Sequence, residues 1–352
     1  MPIPAAAAPD TASLQTPDIQ VVTPASGFQV LERTGGAIDA AEVWTSGSLY
    51  VIAQDVTITE RGQLTIEPGV IVKFGRGVRI YVAGNLQVNG TPANGVVFTS
   101  LADDTFGGDT DNNGDMALPS PGDWNGVYFY DSSRDDKTAL NFVRFRYANE
   151  PLVLSNAAPV LSNIQLEQNT VNGYALGGGG WTTSRWSNVG NPYVVQSDIT
   201  IDDMATLTID PGVVIKFWRS RLYVSGVLLA EGSADAPIIF TSLADDEFGG
   251  DTDNNGDMAL PGPGNWNGLY FYDSSRDDKT ALSYMHVRYA NEPIVLNNAA
   301  PVLTNIELEQ NTVNGYALGG GGWTTSRWSN VGNPYVVQSD ITIDDMATLT
   351  ID

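Results

Sequence analysis

The stretch from Leu166 to Asp210 recurs letter for letter from Leu308 to Asp352. Running backwards from it, Leu101–Leu166 matches Leu243–Leu308 at a constant offset of 142 with scattered substitutions, and Val82–Ser100 matches Val224–Ser242 more loosely. Earlier in the chain the offset is 143: Leu64-Thr-Ile-Glu-Pro-Gly-Val-Ile-Val-Lys-Phe74 falls on Leu207-Thr-Ile-Asp-Pro-Gly-Val-Val-Ile-Lys-Phe217, so one residue was gained or lost in the loop after Phe74. Self-similarity at a fixed period demands stacked, equivalent units rather than one closed core. The boundaries that follow are a leader over 1–42, a first unit over 43–185, a second over 186–327 and the opening of a third over 328–352.

Within a unit the texture is short and alternating. The runs Tyr50 to Ile58, Leu64 to Phe74, Val78 to Val88, Val96 to Ser100, Gly126 to Tyr130, Ala139 to Tyr147, Pro151 to Leu154 and Val160 to Leu166 are rich in β-branched and aromatic residues at period two. Each is closed by Gly, Asn, Asp or Pro, the pattern of strands and turns. No stretch has sustained helical periodicity, so the fold is expected to be all-β. A closed sandwich does not extend by 142-residue modules, whereas a solenoid adds turns without limit. Asn149, Asn156, Asn163, Asn169 and Asn172 lie near turns, where stacked coils can hydrogen-bond along the axis. Residues 1 to about 27 are rich in Ala, Pro, Thr and Ser and read as an extended, poorly ordered leader, with one short strand expected at Ile19 to Val22.

The runs Leu64–Phe74, Tyr81–Asp104, Gly122–Ser133 and Ala139–Pro151 together resemble the right-handed parallel β-helix repeats of large secreted bacterial surface and fibre proteins. The resemblance covers roughly residues 44–352 and implies a right-handed parallel β-helix, a β-solenoid, in an extracellular or cell-surface setting. It implies little about activity, because such modules serve adhesins, fibres and polysaccharide-active enzymes alike.

Charge narrows the partners. Against 41 Asp and Glu stand 17 Lys and Arg, a formal net charge of −24, which disfavours nucleic acid and anionic membrane and favours cations. Cysteine is absent, which excludes disulfides and thiolate metal sites. No apolar run approaches the roughly 18 residues of a membrane helix. The first ten residues have neither the basic start nor the apolar centre of a signal peptide.

The strongest chemical candidate is the loop Asp103 to Asp115, recurring at Asp245 to Asp257. Asp109, Asp111, Asn113 and Asp115 alternate, with Gly114 supplying a tight turn, as in the first half of an EF-hand loop. The twelfth position, where an EF-hand has a bidentate Glu, is Ser120 or Gly262, so Asp103, Asp104 or backbone carbonyls are expected to complete the shell. The expected calcium ligands are therefore Asp103, Asp104, Asp109, Asp111, Asn113 and Asp115, and in the copy Asp245, Asp246, Asp251, Asp253, Asn255 and Asp257. Magnesium, with its small octahedral shell, suits the pattern less well. The loop is expected to protrude from the coil.

Other groups point away from catalysis. Asp135–Asp136 and Asp202–Asp203 are neighbours in turns, which point apart, whereas glycosidase carboxylates face each other across a cleft. Arg144 and Arg146 share one strand face and suit the base of a lyase, but the copy reads His286 and Arg288, so ion pairing with Asp135 or Asp136 is expected instead. His286 is the single histidine. Trp181 and Trp186, after Gly177–Gly180, are expected to plug the core where units meet rather than to form a sugar platform.

The resulting expectation is a structural, non-enzymatic, calcium-stabilised module of a filament, adhesin or surface-layer-like assembly, continuing end to end with copies of itself. The alternative is a carbohydrate-binding or polysaccharide-depolymerising β-helix, with surface glycans as partner. Each unit is expected to add five or six coils, roughly 25 to 30 Å of axial length. The terminal copy is identical to the internal one and carries no polar cap, which predicts continuation of the stack.

Overall fold

The computed structural model describes residues 28–352; the strand expected at Ile19 to Val22 lies outside the described residues. All strand ladders are parallel, as a coil of one chain stacked on itself requires. Three strands make one turn, one on each of three faces. The first face runs through Gln29–Arg33, Ser48–Ile52, Ile71–Phe74 and Val96–Ser100. The second runs through Gly36–Ile38, Val56–Ile58, Arg79–Val82, Gly126–Phe129, Leu152–Leu154 and Tyr174–Leu176, and the third through Ala41–Trp44, Gln63–Ile66 and Asn85–Asn89. This is the parallel β-solenoid expected from the repeats. No helix among the described residues is long and apolar enough to cross a membrane.

Two long strands in each unit turn the corner between faces. Ala139–Arg146 pairs with Asn85–Asn89 through its first half and with Val96–Ser100 through its second, and Val160–Glu167 stacks on both halves. The corner residues Phe142 and Asn163 take positive φ, 49° and 53°, a conformation in which asparagine is enriched. Each unit thus holds fourteen strands in sixteen face positions, five turns and a third. At ~4.8 Å between stacked strands the unit rises about 26 Å.

The extra third of a turn rotates each unit by one face. Tyr193–Val195 is the copy of Ser48–Ile52, yet it stacks on Tyr174–Leu176 and continues the second face rather than the first. Its next copy, Tyr335–Val337, stacks on Tyr316–Leu318 and continues the third. Equivalent surfaces of successive units therefore spiral around the rod.

Inward positions form one continuous apolar core. Phe74 stacks on Trp124 with ring centroids 4.1 Å apart, and Trp181 meets Trp186 edge-on at 5.7 Å. Trp181 and Trp186 are 1% and 2% exposed, so they fill the seam and present no surface to a sugar. The asparagines bond from turn to turn: buried Asn169 accepts from the Ala148 amide (2.8 Å) and donates to the Phe145 carbonyl (3.1 Å). Asn156 links Asp131 on one neighbouring turn (2.6 Å) to the Thr182 amide on the other (3.0 Å).

Candidate metal centre

The acidic loop leaves the solenoid after Val96–Ser100 and folds back over the flank, where the expectation was a protruding loop. The cause is apolar. On the first face Leu49, Ile71 and Val97 point outward, and Phe106 covers them, itself only 8% exposed. In the second unit the loop lies over Val171 and Val194, and the Asn172 amide donates to the Thr252 carbonyl at 2.7 Å. Burying those outward apolar side chains is worth roughly 1.5–3 kcal/mol each, which anchors the loop without any ion.

Carboxylate oxygens of Asp104, Asp109 and Asp111 all lie within 4.8 Å of one another, and Asp246, Asp251 and Asp253 repeat the arrangement. The loop backbone holds them there. Asp109 accepts from the Asn113 amide (3.2 Å) and the Gly114 amide (3.0 Å), which hold its carboxyl below the usual range, the Gly114 bond most strongly. Gly114 (φ 59°) and Asn112 (φ 55°) supply the tight turn. Asp251 accepts equivalent amide bonds from Asn255 and Gly256, both at 3.0 Å.

Oxygen ligands remain to be satisfied. Asn113 donates through its side-chain nitrogen to Asp111, leaving its buried Oδ1 without a hydrogen bond, and Asp253 Oδ1 is likewise buried and unpaired. Burial, followed by the Asp251 charge, pushes the Asp253 carboxyl up, the direction a bound cation would reverse. Three converging carboxylates and a carbonyl oxygen are hard donors, a set that fits calcium.

Not every expected ligand joins the cluster. Asp103 is fully buried and turned the other way, accepting from Thr99 Oγ1 (2.5 Å) and pairing with Arg146 Nη1 (2.8 Å). Asp245 does the same with Thr241 and Arg288, the latter at 3.5 Å. A carboxylate held by a guanidinium inside the protein is already neutralised, so the structure brings in the second acid of each Asp-Asp pair and not the first. Asn255 Oδ1 accepts from the Ala259 amide at 3.4 Å. The side chains of Asp115 and Asp257 lie outside the described residues.

The sequence reading missed two lysines. Lys73 is fully buried under the loop and donates from Nζ to the Gly108 carbonyl at 2.6 Å; Lys216 donates to Gly250 at the same distance. Burial lowers the Lys73 pKa and lowers that of Lys216 to about 8, against the opposing pull of the loop aspartates. The signal was present in the sequence. With four lysines in the chain, one sits at the same place in each of the two apolar Leu-Thr-Ile…Lys-Phe runs. These ammonium groups offset part of the loop charge from beneath.

The arginines pair with other acids than expected. Arg144 Nε meets Glu167 at 3.0 Å, and Asp135 instead accepts from Ser133 Oγ (2.9 Å) and the Ala158 amide (2.8 Å), closing a turn. Phe106 stacks beneath Arg146, its ring centroid 5.0 Å from the guanidinium. His286 pairs with Glu307 at 3.3 Å in an open cleft of about 480 Å³ on the flank of the second unit.

No protein-family model and no solved structure matches the chain. Among curated proteins, "Protein bark beetle" of Drosophila melanogaster is 28% identical over 102 residues, which is 29% of this chain and 3% of that protein's length.

Proposed function

We propose that the chain is a rigid β-solenoid module of an extracellular fibre, adhesin or surface-layer-like assembly, stiffened by calcium and without catalytic activity. The observation that carries the reading is the acidic trio, built twice on the same backbone turn, with the loop held to the rod over Leu49, Ile71 and Val97 by Phe106 in the first unit and over Val171 and Val194 in the second. Asp104, Asp109 and Asp111, with Asn113 Oδ1, would hold the ion in the first unit, and Asp246, Asp251 and Asp253 in the second. Neutralising crowded carboxylates in the folded form alone stabilises that form by mass action, about 2.7 kcal/mol at a hundredfold excess over Kd. The strands Tyr335–Val337 and Ile341–Ile343 repeat Tyr193–Val195 and Ile199–Ile201, each of which carries a further strand on its edge, so a further turn, from the same chain or from a second copy, would pair with these edges in a filament.

Thermal melting tests the calcium part. EDTA should lower Tm, calcium should restore it, and magnesium at equal concentration should not. Unchanged melting in EDTA would remove calcium from the proposal and leave the apolar anchoring as the loop's support. Incubation with acidic polysaccharides, followed by ultraviolet absorbance of unsaturated products, tests the depolymerising alternative, for which no change in absorbance is expected.

A further inference from the structure

Each unit carries on one flank an aromatic platform that neither the core nor the acidic loop uses. On the second face Tyr128 lies opposite Tyr81 in register, and Tyr130 follows on the same side. The Tyr81 and Tyr130 rings stack at 5.9 Å with 14° between planes, and the Arg79 guanidinium lies 5.6 Å and 5.2 Å from the Tyr81 and Tyr128 ring centres. Glu150 borders the rings and accepts from Gln196 Nε2 at 3.0 Å. The second unit repeats the set: Tyr223 and Tyr272 stack at 5.6 Å and 17°, Arg221 lies 5.5 Å and 5.3 Å from Tyr223 and Tyr270, and Tyr270 donates to Glu292 at 3.1 Å.

Cross-strand tyrosines stabilise a sheet by packing alone, but three features exceed what packing needs. Tyr130 and Tyr272 remain 41% and 38% exposed. The buried Arg79 Nε has no hydrogen-bond partner, and Arg221 Nε reaches only Asp198 at 3.5 Å. The whole set is kept in both units although the Val82–Ser100 stretch beside it diverges. An aromatic surface bordered by one planar cation and two carboxylates, Glu150 with Asp55 in the first unit and Glu292 with Asp198 in the second, offers apolar contact, donors and acceptors together.

We infer that these platforms bind neutral hexose chains, a pyranose ring lying on the exposed tyrosine and its hydroxyls meeting Arg79 and Glu150. Charge complementarity selects the ligand. The arginine and carboxylates of the border supply donors and acceptors to a polyol, while those acids and the net charge of −24 repel a polyanion. The spiral of the units adds a consequence: the first platform is on the second face and the second on the third, a third of a turn and about 26 Å apart. One straight glycan cannot lie on both, so the chain cross-links separate glycans. This inference is independent of the calcium site.

Calorimetry of the full chain with cellohexaose, maltohexaose and mannohexaose, and with hexagalacturonate as the charged comparison, tests it. At least one neutral hexaose should bind at two sites per chain. Tyr130→Ala and Tyr272→Ala should each remove one site, and the double variant should weaken binding by about tenfold or more at unchanged Tm. If the alanine variants lose stability, Arg79→Gln with Arg221→Gln takes their place with the same expectation. A soluble polysaccharide of the hexaose that binds should be aggregated by the parent protein and not by either single variant. Absence of neutral hexaose binding at millimolar concentration, binding indifferent to the double variants, or tighter binding of hexagalacturonate would each overturn the inference.

Discussion

The two acidic loops share a backbone and differ in how one arginine is used. In the first unit Arg146 gives its shortest ion pair to buried Asp103 (2.8 Å) and donates from Nη2 to both Tyr147 Oη and Gln168 Oε1. In the second, Thr105 is replaced by Glu247, whose carboxylate takes Arg288 Nη2 at 2.6 Å, and Glu309 takes Nε at 2.9 Å. The Arg288–Asp245 separation opens to 3.5 Å. A half-solvated glutamate at the rim has drawn the guanidinium off the buried acid. The same loop is therefore held from within in one unit and partly from its rim in the other.

The largest expected effect comes from removing that arginine. Arg146→Met removes the guanidinium from the buried Asp103 carboxylate, leaving Thr99 and the Thr105 amide as its hydrogen-bond partners, and should cost about 3–5 kcal/mol of the first unit's stability. Arg288→Met should cost clearly less, because Asp245 already has the weaker pair. Hydrogen exchange resolved by unit, with denaturant melting of the whole chain, measures both. Equal losses, or a larger loss from Arg288→Met, would refute the ranking.

Next in size is a pH effect in calcium-free buffer. The folded pKa of Lys216 lies near 8, below the ordinary 10.5, so the buried ammonium is disfavoured relative to the unfolded chain. That penalty is complete below about pH 8 and is relieved as pH rises toward the unfolded value. Tm should therefore rise between about pH 8 and 9.5, until tyrosines such as Tyr174 and Tyr193, raised by burial, reverse the slope above about pH 10. Lys216→Met should flatten the rise more than Lys73→Met, whose lysine is shifted less. A slope untouched by either substitution would show that the lysines do not carry it.

The contrast between loops also marks what the sequence could reveal. Repetition and period-two alternation sufficed for the solenoid and its turns, because both follow from local pattern. They could not show that the unit holds a third of a turn beyond five, since that depends on Phe142 and Asn163 bending one strand across two faces. The Asp109–Asp111 spacing was legible because its geometry is made within one loop. The choice between Asp103 and Asp104 was not, as it is made by Arg146, 43 positions further on. A lysine in an alternating strand reads as solvent-facing, so the repeated Lys-Phe signal of Lys73 acquires its meaning only once the acidic loop folds back over Ile71 and buries the ammonium against Gly108.

The smallest expected effect isolates the single difference between the loops. Glu247→Thr removes a pair whose glutamate side chain is 64% exposed, and such pairs contribute about 0–1 kcal/mol. The substitution alone should therefore change second-unit stability by less than about 1 kcal/mol. Its consequence lies in coupling. With the rim carboxylate gone, Arg288 is free to close on Asp245 as Arg146 closes on Asp103, so the neighbouring charges should become non-additive. In the Glu247→Thr background the cost of Arg288→Met should rise toward that of Arg146→Met, and Thr105→Glu in the first unit should lower the cost of Arg146→Met in turn. Hydrogen exchange on the four double-cycle members reads the change directly. If the cost of Arg288→Met is the same with Glu247 or Thr at that position, the rim glutamate is not what separates the two loops.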